Sequence, residues 1–76
     1  MQVQSVEIGS LIPPKSRPVA DPVKLARHGV FNWKKYTPII VETDGKRFWL
    51  MDGVTRMENA RRAGLHELPA YVFTRR

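Results

Sequence analysis

Apolar positions in this chain fall into short runs separated by proline, glycine and charge. Val3 to Ile8 is brief and rich in β-branched residues, which predicts a strand. Pro13, Pro14 and Pro18 then exclude regular helix and central strand, and predict an extended, partly polyproline loop anchored by Leu11 and Ile12. Asp21-Pro22 is a helix-start signal, with Asp as cap and Pro at the first helical position. Gly29 ends that short helix, whose buried side is expected to carry Val23, Leu25, Ala26 and Val30. The segment Phe31 to Tyr36 reads either as a further helical turn or as a loop.

Two alternating runs, Pro38 to Thr43 and Lys46 to Met51, flank Asp44-Gly45. That dipeptide suits a two-residue type I′ hairpin turn, which would set Val41 opposite Phe48 and Glu42 opposite Arg47. Ile39, Val41, Phe48 and Leu50 then share an apolar face. Ile40, Glu42, Arg47, Trp49 and Met51 share the other. A helix from Val54 to Ala63 is expected next, closed by Gly64 in the left-handed conformation. Its Met57 and Ala60 lie on one stripe with the flanking Gly53 and Gly64, while Thr55, Asn59 and Arg62 point away. Leu68 to Thr74 predicts a last strand, with Pro69 tolerated only near its start or on a sheet edge. The sum is an α+β domain spanning residues 1–76, a small mixed sheet with a central hairpin and one main helix packed on it.

Composition narrows the partners. Thirteen Lys and Arg against seven Asp and Glu leave a net +6 in 76 residues, which favours an anionic partner: a nucleotide, a nucleic acid or an acidic protein. The absence of cysteine removes disulfides, thiolate metal sites and cysteine nucleophiles together. The opening MQVQSVEIGS lacks the regions of a signal peptide, and no apolar run approaches the roughly 20 residues that span a bilayer. A cytoplasmic protein without a membrane partner is the expectation.

The junction from Leu50 to Arg56 holds the most chemistry, because a strand there gives way directly to a helix. A helix N-terminus offers unpaired N–H groups and partial positive charge, which suits phosphate. Gly53 permits close backbone approach. Arg56 in the first turn opposes the helix dipole unless an anion binds there. A second reading stands beside this one: Thr55-x-x-Glu58 fits a capping box, which would make Asp52-Gly53 a simple turn. His28 and His66 have no companion histidine or thiolate, so no metal site is expected. Ser5, Ser10 and Ser16 have no recognisable base for a hydrolase triad. Asp52, Glu58 and Glu67 fall short of a converging two-metal cluster. Trp33, Lys34, Lys35 and Tyr36 interleave aromatics with charge, as single-strand stacking surfaces and half-buried loops both do.

The stretch PIIVETDGKRFWLMDGVTRMENARRAGLHELPAYVF resembles the ParB/sulfiredoxin domain, and VEIGSLIPPKSRPV resembles that family's opening strand and proline-rich box, with Arg17 at its arginine. The resemblance is weakest over residues 20–36, where the family has a longer helix. It implies a phosphate-binding segment at Gly53, Val54, Thr55 and Arg56. Chromosome-partitioning members carry Gly-Glu-Arg-Arg there and bind a cytidine nucleotide; this chain matches at Gly53 and Arg56. Sulfiredoxins carry Gly-Cys-His-Arg and bind ATP, and Val54 stands where their nucleophile would be. Kinase-like members carry Asp-Gly-His-His-Arg, of which Asp52, Gly53 and Arg56 are kept.

The reading that follows is a ParB-like binding module. It would contact nucleotide phosphates or a nucleic-acid backbone through Gly53, Thr55, Arg56 and Arg17, without sulfiredoxin-type catalysis. A nucleotide with Mg2+ is the candidate cofactor, and one alternative is a small metal-dependent nuclease or nucleotide hydrolase using Asp52 with a divalent cation. Another is a basic inhibitor or adaptor of a plasmid or phage element, bound to an acidic protein.

Overall fold

The computed structural model describes residues 2–16 and 20–75. Strand β1 (Gln2–Glu7) leads through a 3-10 turn (Ile8–Ser10) into the short β2 (Leu11–Ile12). Helix α1 (Pro22–His28), a second 3-10 turn (Trp33–Lys35), β3 (Ile39–Thr43), β4 (Phe48–Asp52), α2 (Val54–Arg62) and β5 (Glu67–Thr74) follow. The strands form one mixed sheet in the order β1-β5-β3-β4-β2. β5 pairs antiparallel with β1 and parallel with β3. Parallel neighbours need a crossover connection, and α2 supplies it across one face of the sheet.

That face is the core. Ile39, Val41, Leu50 and Leu68 are almost wholly buried, with Val6, Ile8 and Ala70 beside them. Each large aliphatic side chain so buried contributes about 1.5–3 kcal/mol. Helix α2 approaches through Ala60, which is fully buried, with Val54 and Met57 packed to either side. The small side chain at 60 lets the helix axis come close, as its stripe predicts. The α2 C-terminus closes at Gly64, whose φ is 88°: its N–H donates to the Arg61 carbonyl, and the Leu65 N–H donates to that of Ala60. This is the glycine-closed motif expected there, with the last helical residue at Arg62 rather than Ala63.

The hairpin exists, but not with a two-residue turn. Val41 faces Leu50, Glu42 faces Trp49 and Thr43 faces Phe48, so the connection runs from Asp44 to Arg47. Side chains stabilise the longer loop. Asp44 Oδ1 accepts from the Lys46 and Arg47 N–H groups at 2.9 and 2.8 Å, and Thr43 Oγ1 donates to the Arg47 carbonyl at 2.7 Å. From Val41 to Thr43 the pairing is offset by two residues from the type I′ register, and an even offset keeps these side chains on their expected faces; a bulge then shifts the register so that Ile40 pairs with Asp52. Ile39, Val41 and Leu50 are therefore buried as anticipated. On the opposite face, the Arg75 guanidinium stacks 3.7 Å from the Trp49 ring and bonds Glu42 at 2.9 Å.

Two further expectations are corrected. Leu11 and Ile12 are more than loop anchors, since they pair in parallel with Phe48 and Trp49 as an edge strand. β5 is a central strand with Pro69 near its start, as its sequence allowed, and its ladder with β3 begins one residue later, at Ala70. In α1 the Asp21 cap and the Gly29 stop are as read, with Asp21 Oδ1 accepting from the Val23 N–H at 2.9 Å. The buried side of α1 is not as read: Val23, Ala26 and Val30 are exposed and Leu25 is half-buried, while Ala20, just before the helix, packs inward. A seven-residue helix covering a helix rather than a sheet has little apolar surface to bury.

Candidate functional site

The β4–α2 junction places the predicted residues at the mouth of a cleft. Gly53 has φ 105°, a left-handed backbone, and precedes α2 directly. A Cβ at this position would lie 2.5 Å from Ile39 Cγ2 and 3.1 Å from Arg56 Nη2. Glycine is required twice, once for the torsion and once for contact. The lack of a side chain lets the Arg56 guanidinium fold back over the helix start.

No side chain caps α2. The capping-box reading is thereby corrected: Thr55 lies inside the first turn, and Glu58 turns forward to bind Arg61 and Arg62 at 2.6 and 2.9 Å. Those hydrogen bonds, Arg61 first, hold the Glu58 carboxyl below the usual carboxylate range. Glu58 does not offset Arg56. The only carboxylate within ion-pair distance of Arg56, among the described residues, is Asp52, at 3.8 Å and with its side chain 69% exposed. A pair so long and so exposed contributes little. Arg56 Nε is itself buried and has no hydrogen-bond partner among the described residues, an arrangement that ordinarily costs about 1–3 kcal/mol or more for a charged group.

Two cavities meet at Arg56. The larger, of about 730 Å³, lies between the α2 N-terminus and α1, with Gly53 to Arg56 on one side and Lys24 and Arg27 on the other. The smaller, of about 430 Å³, is lined by Phe31, Tyr36, Asn32, Asn59 and Lys35, and shares Arg27 and Arg56 with the first. Tyr36 is fixed there by its hydroxyl, which donates to the Pro69 carbonyl and accepts from the Ile39 N–H at 3.4 Å. Burial pushes that hydroxyl's pKa up, against the opposing pull of the Ile39 N–H and the Arg56 charge.

Gly53, Thr55, Arg56 and Asp52 are thus brought together at one cleft. Arg17 lies outside the described residues. Lys24 and Arg27 were not singled out, and Lys35 only as part of an aromatic and charged stretch, although a signal was available: residues 21–36 hold four cations against the single carboxylate of Asp21. Among the described residues, Lys24, Arg27, Lys34 and Lys35 make no ion pair, whereas Arg47, Arg61, Arg62 and Arg75 are each matched to a carboxylate. Three of these unpaired cations, Lys24, Arg27 and Lys35, line the two cavities that share Arg56, the larger of which also holds Asp21 and Asp52. Among the described residues, no three His, Cys, Asp or Glu side chains cluster as a metal site would need, and no helix is long and apolar enough to cross a membrane.

No family model matches the sequence, and a search of curated proteins finds no match. Solved structures do match. A sulfiredoxin from Arabidopsis thaliana superposes with a TM-score of 0.79 at 13% identity, over 99% of this chain and 88% of that one. The C-terminally truncated chromosome-partitioning protein ParB from Caulobacter crescentus, complexed with CTP-gamma-S, gives 0.73 at 19% identity, over 100% of this chain and 46% of that one. A free serine kinase in complex with AMP gives 0.68 at 14% identity, over 93% and 30% respectively. The chain thus spans less than half the length of the ParB and kinase structures. What these likenesses establish is the architecture: a ParB/sulfiredoxin-like α+β fold.

Proposed function

We propose that this domain binds a nucleotide, with phosphate against the α2 N-terminus and Arg56, and the base in the smaller cavity beside Phe31 and Tyr36. The observation that carries the reading is Arg56 itself: a guanidinium folded over a glycine-opened helix start, its Nε without a partner and its one carboxylate neighbour distant and exposed among the described residues. A phosphate would satisfy the helix amides and Arg56 together, and Lys24 and Arg27 add cations across the cleft. Asn32 and Asn59 supply amide donors and acceptors in the neighbouring cavity. The nucleotide complexes among the structural relatives, with CTP-gamma-S and with AMP, agree with this reading. Sulfiredoxin-type thiol chemistry is left aside, because the chain has no cysteine.

Calorimetry with AMP, CMP and their triphosphates, with and without magnesium, tests the reading. Charge-assisted hydrogen bonds contribute about 1.5–3 kcal/mol, so Arg56→Ala should weaken binding about 10- to 100-fold. Unchanged affinity in that variant would remove Arg56 from the site and with it the proposal.

A further inference from the structure

Trp33, on the turn before β3, has no part in holding a mononucleotide. Phe31, Trp33 and Tyr36 form a cluster in which Trp33 meets Phe31 and Tyr36 edge-to-face, at centroid distances of 4.8 and 5.4 Å. Phe31 and Tyr36 pack against the core, but Trp33 keeps 53% of its surface exposed. The turn that holds it is rigidly specified. Asn32 Oδ1 accepts from the Lys34 N–H at 2.9 Å, and the Lys35 and Tyr36 N–H groups donate to the Asn32 and Trp33 carbonyls. Lys34 and Lys35 follow Trp33 directly and make no ion pair among the described residues. Lys35 opens onto the cavity that also holds Arg27 and Arg56. An exposed indole thus sits at one end of a run of cations that ends at the α2 N-terminus.

From this juxtaposition we infer that the domain contacts a single-stranded nucleic acid. One base stacks on Trp33, and the adjoining backbone runs past Lys34, Lys35 and Arg27 towards Arg56. An exposed aromatic flanked by cations is the combination that holds single strands with little sequence preference, because every base has a face to stack and every nucleotide a phosphate to neutralise. A duplex fits poorly, since its base faces are already stacked. Helix α2 is not available to a groove either: it is seated on the sheet by Ala60, and its outward Arg61 and Arg62 are neutralised by Glu58. The inference rests on the nucleotide reading only at its far end, where the backbone reaches Arg56.

The test is fluorescence anisotropy with a labelled oligothymidylate of about ten nucleotides, within the usual site sizes for single-strand binders. AMP binding is measured in parallel. Trp33→Ala and Trp33→Leu should each weaken strand binding by about tenfold or more, as loss of one stacked base implies, and leave AMP binding unchanged. Trp33→Phe should retain most of the affinity. Replacing Lys34 and Lys35 by Gln should reduce the salt slope by about 0.7 per charge removed. The Leu variant preserves apolar packing, so its loss marks stacking rather than misfolding. Three results would overturn the inference: strand binding unaffected by Trp33→Leu, parallel loss of AMP and strand binding in that variant, or tighter Trp33-independent binding to the duplex. Failure of the nucleotide reading looks different, because Arg56→Ala would then leave AMP affinity intact while the Trp33 dependence persists.

Discussion

Gly53→Ala is the sharpest probe of how the fold makes its site. Two independent costs add at this position. The φ of 105° places an alanine in the left-handed region, a strain of about 1–2 kcal/mol. The new methyl would also lie 2.5 Å from Ile39 Cγ2 and 3.0 Å from Ile39 Cβ, inside a side chain with no exposed surface. Forced overpacking of this kind costs about 1–3 kcal/mol more. The total, about 2–5 kcal/mol, is a large share of the roughly 4–11 kcal/mol that a domain of this length has to lose. Urea denaturation gives the value directly, and a thermal melt should fall by about 10 °C or more. Gly45→Ala serves as the reference, since Gly45 has φ 97° and open space where the Cβ would go, so only the torsional cost applies. The difference between the two variants isolates the contact with Ile39. Combining Gly53→Ala with Ile39→Ala should cost less than the sum of the single changes, because the clash with Cγ2 is removed. Equal losses in Gly53→Ala and Gly45→Ala, with full additivity in the double variant, would refute the steric argument. The third neighbour of that methyl, Arg56 Nη2 at 3.1 Å, means that any surviving Gly53→Ala protein should also bind nucleotide more weakly.

Two other predictions concern the corrected elements. Thr55→Ala should change stability by less than about 0.5 kcal/mol, because Thr55 caps nothing; a loss near the 1 kcal/mol typical of a cap, measured by urea denaturation, would restore the capping box. Asp44 is held down to a pKa of about 2, first by the Arg47 N–H and then by that of Lys46. A depressed carboxyl contributes stability above its ordinary 3.8 and loses it as pH falls through about 2, because the unfolded chain binds the proton first. Urea midpoints should therefore fall between pH 5 and pH 2 more steeply in the wild type than in Asp44→Asn, and parallel profiles would contradict the loop's hydrogen bonding.

Much of the fold could be read from local pattern. Alternation placed Ile39, Val41 and Leu50 on the buried face, and this survived a wrong turn because the error was even. Helix α2, its small contact residue Ala60 and its glycine stop followed from 3.6-residue spacing and torsional preference. The dipole conflict at Arg56 marks the candidate site in the sequence itself. What local pattern could not supply was partnership. Leu11 and Ile12 are too few to announce a strand, and only the exposed edge of β4 makes them one. Thr55-x-x-Glu58 has the letters of a capping box, yet two arginines further along α2 compete for Glu58 and win.

The chain alone therefore determined most of its elements, its absence of thiols and its excess of positive charge, because torsions, periodicity and composition are properties of near neighbours. Tertiary structure decided where that charge matters. It matched Arg47, Arg61, Arg62 and Arg75 with carboxylates, and left Lys24, Arg27 and Lys35 facing Arg56 across a cleft. Electrostatic compensation depends on distances between residues far apart in sequence, and only the folded sheet sets those distances.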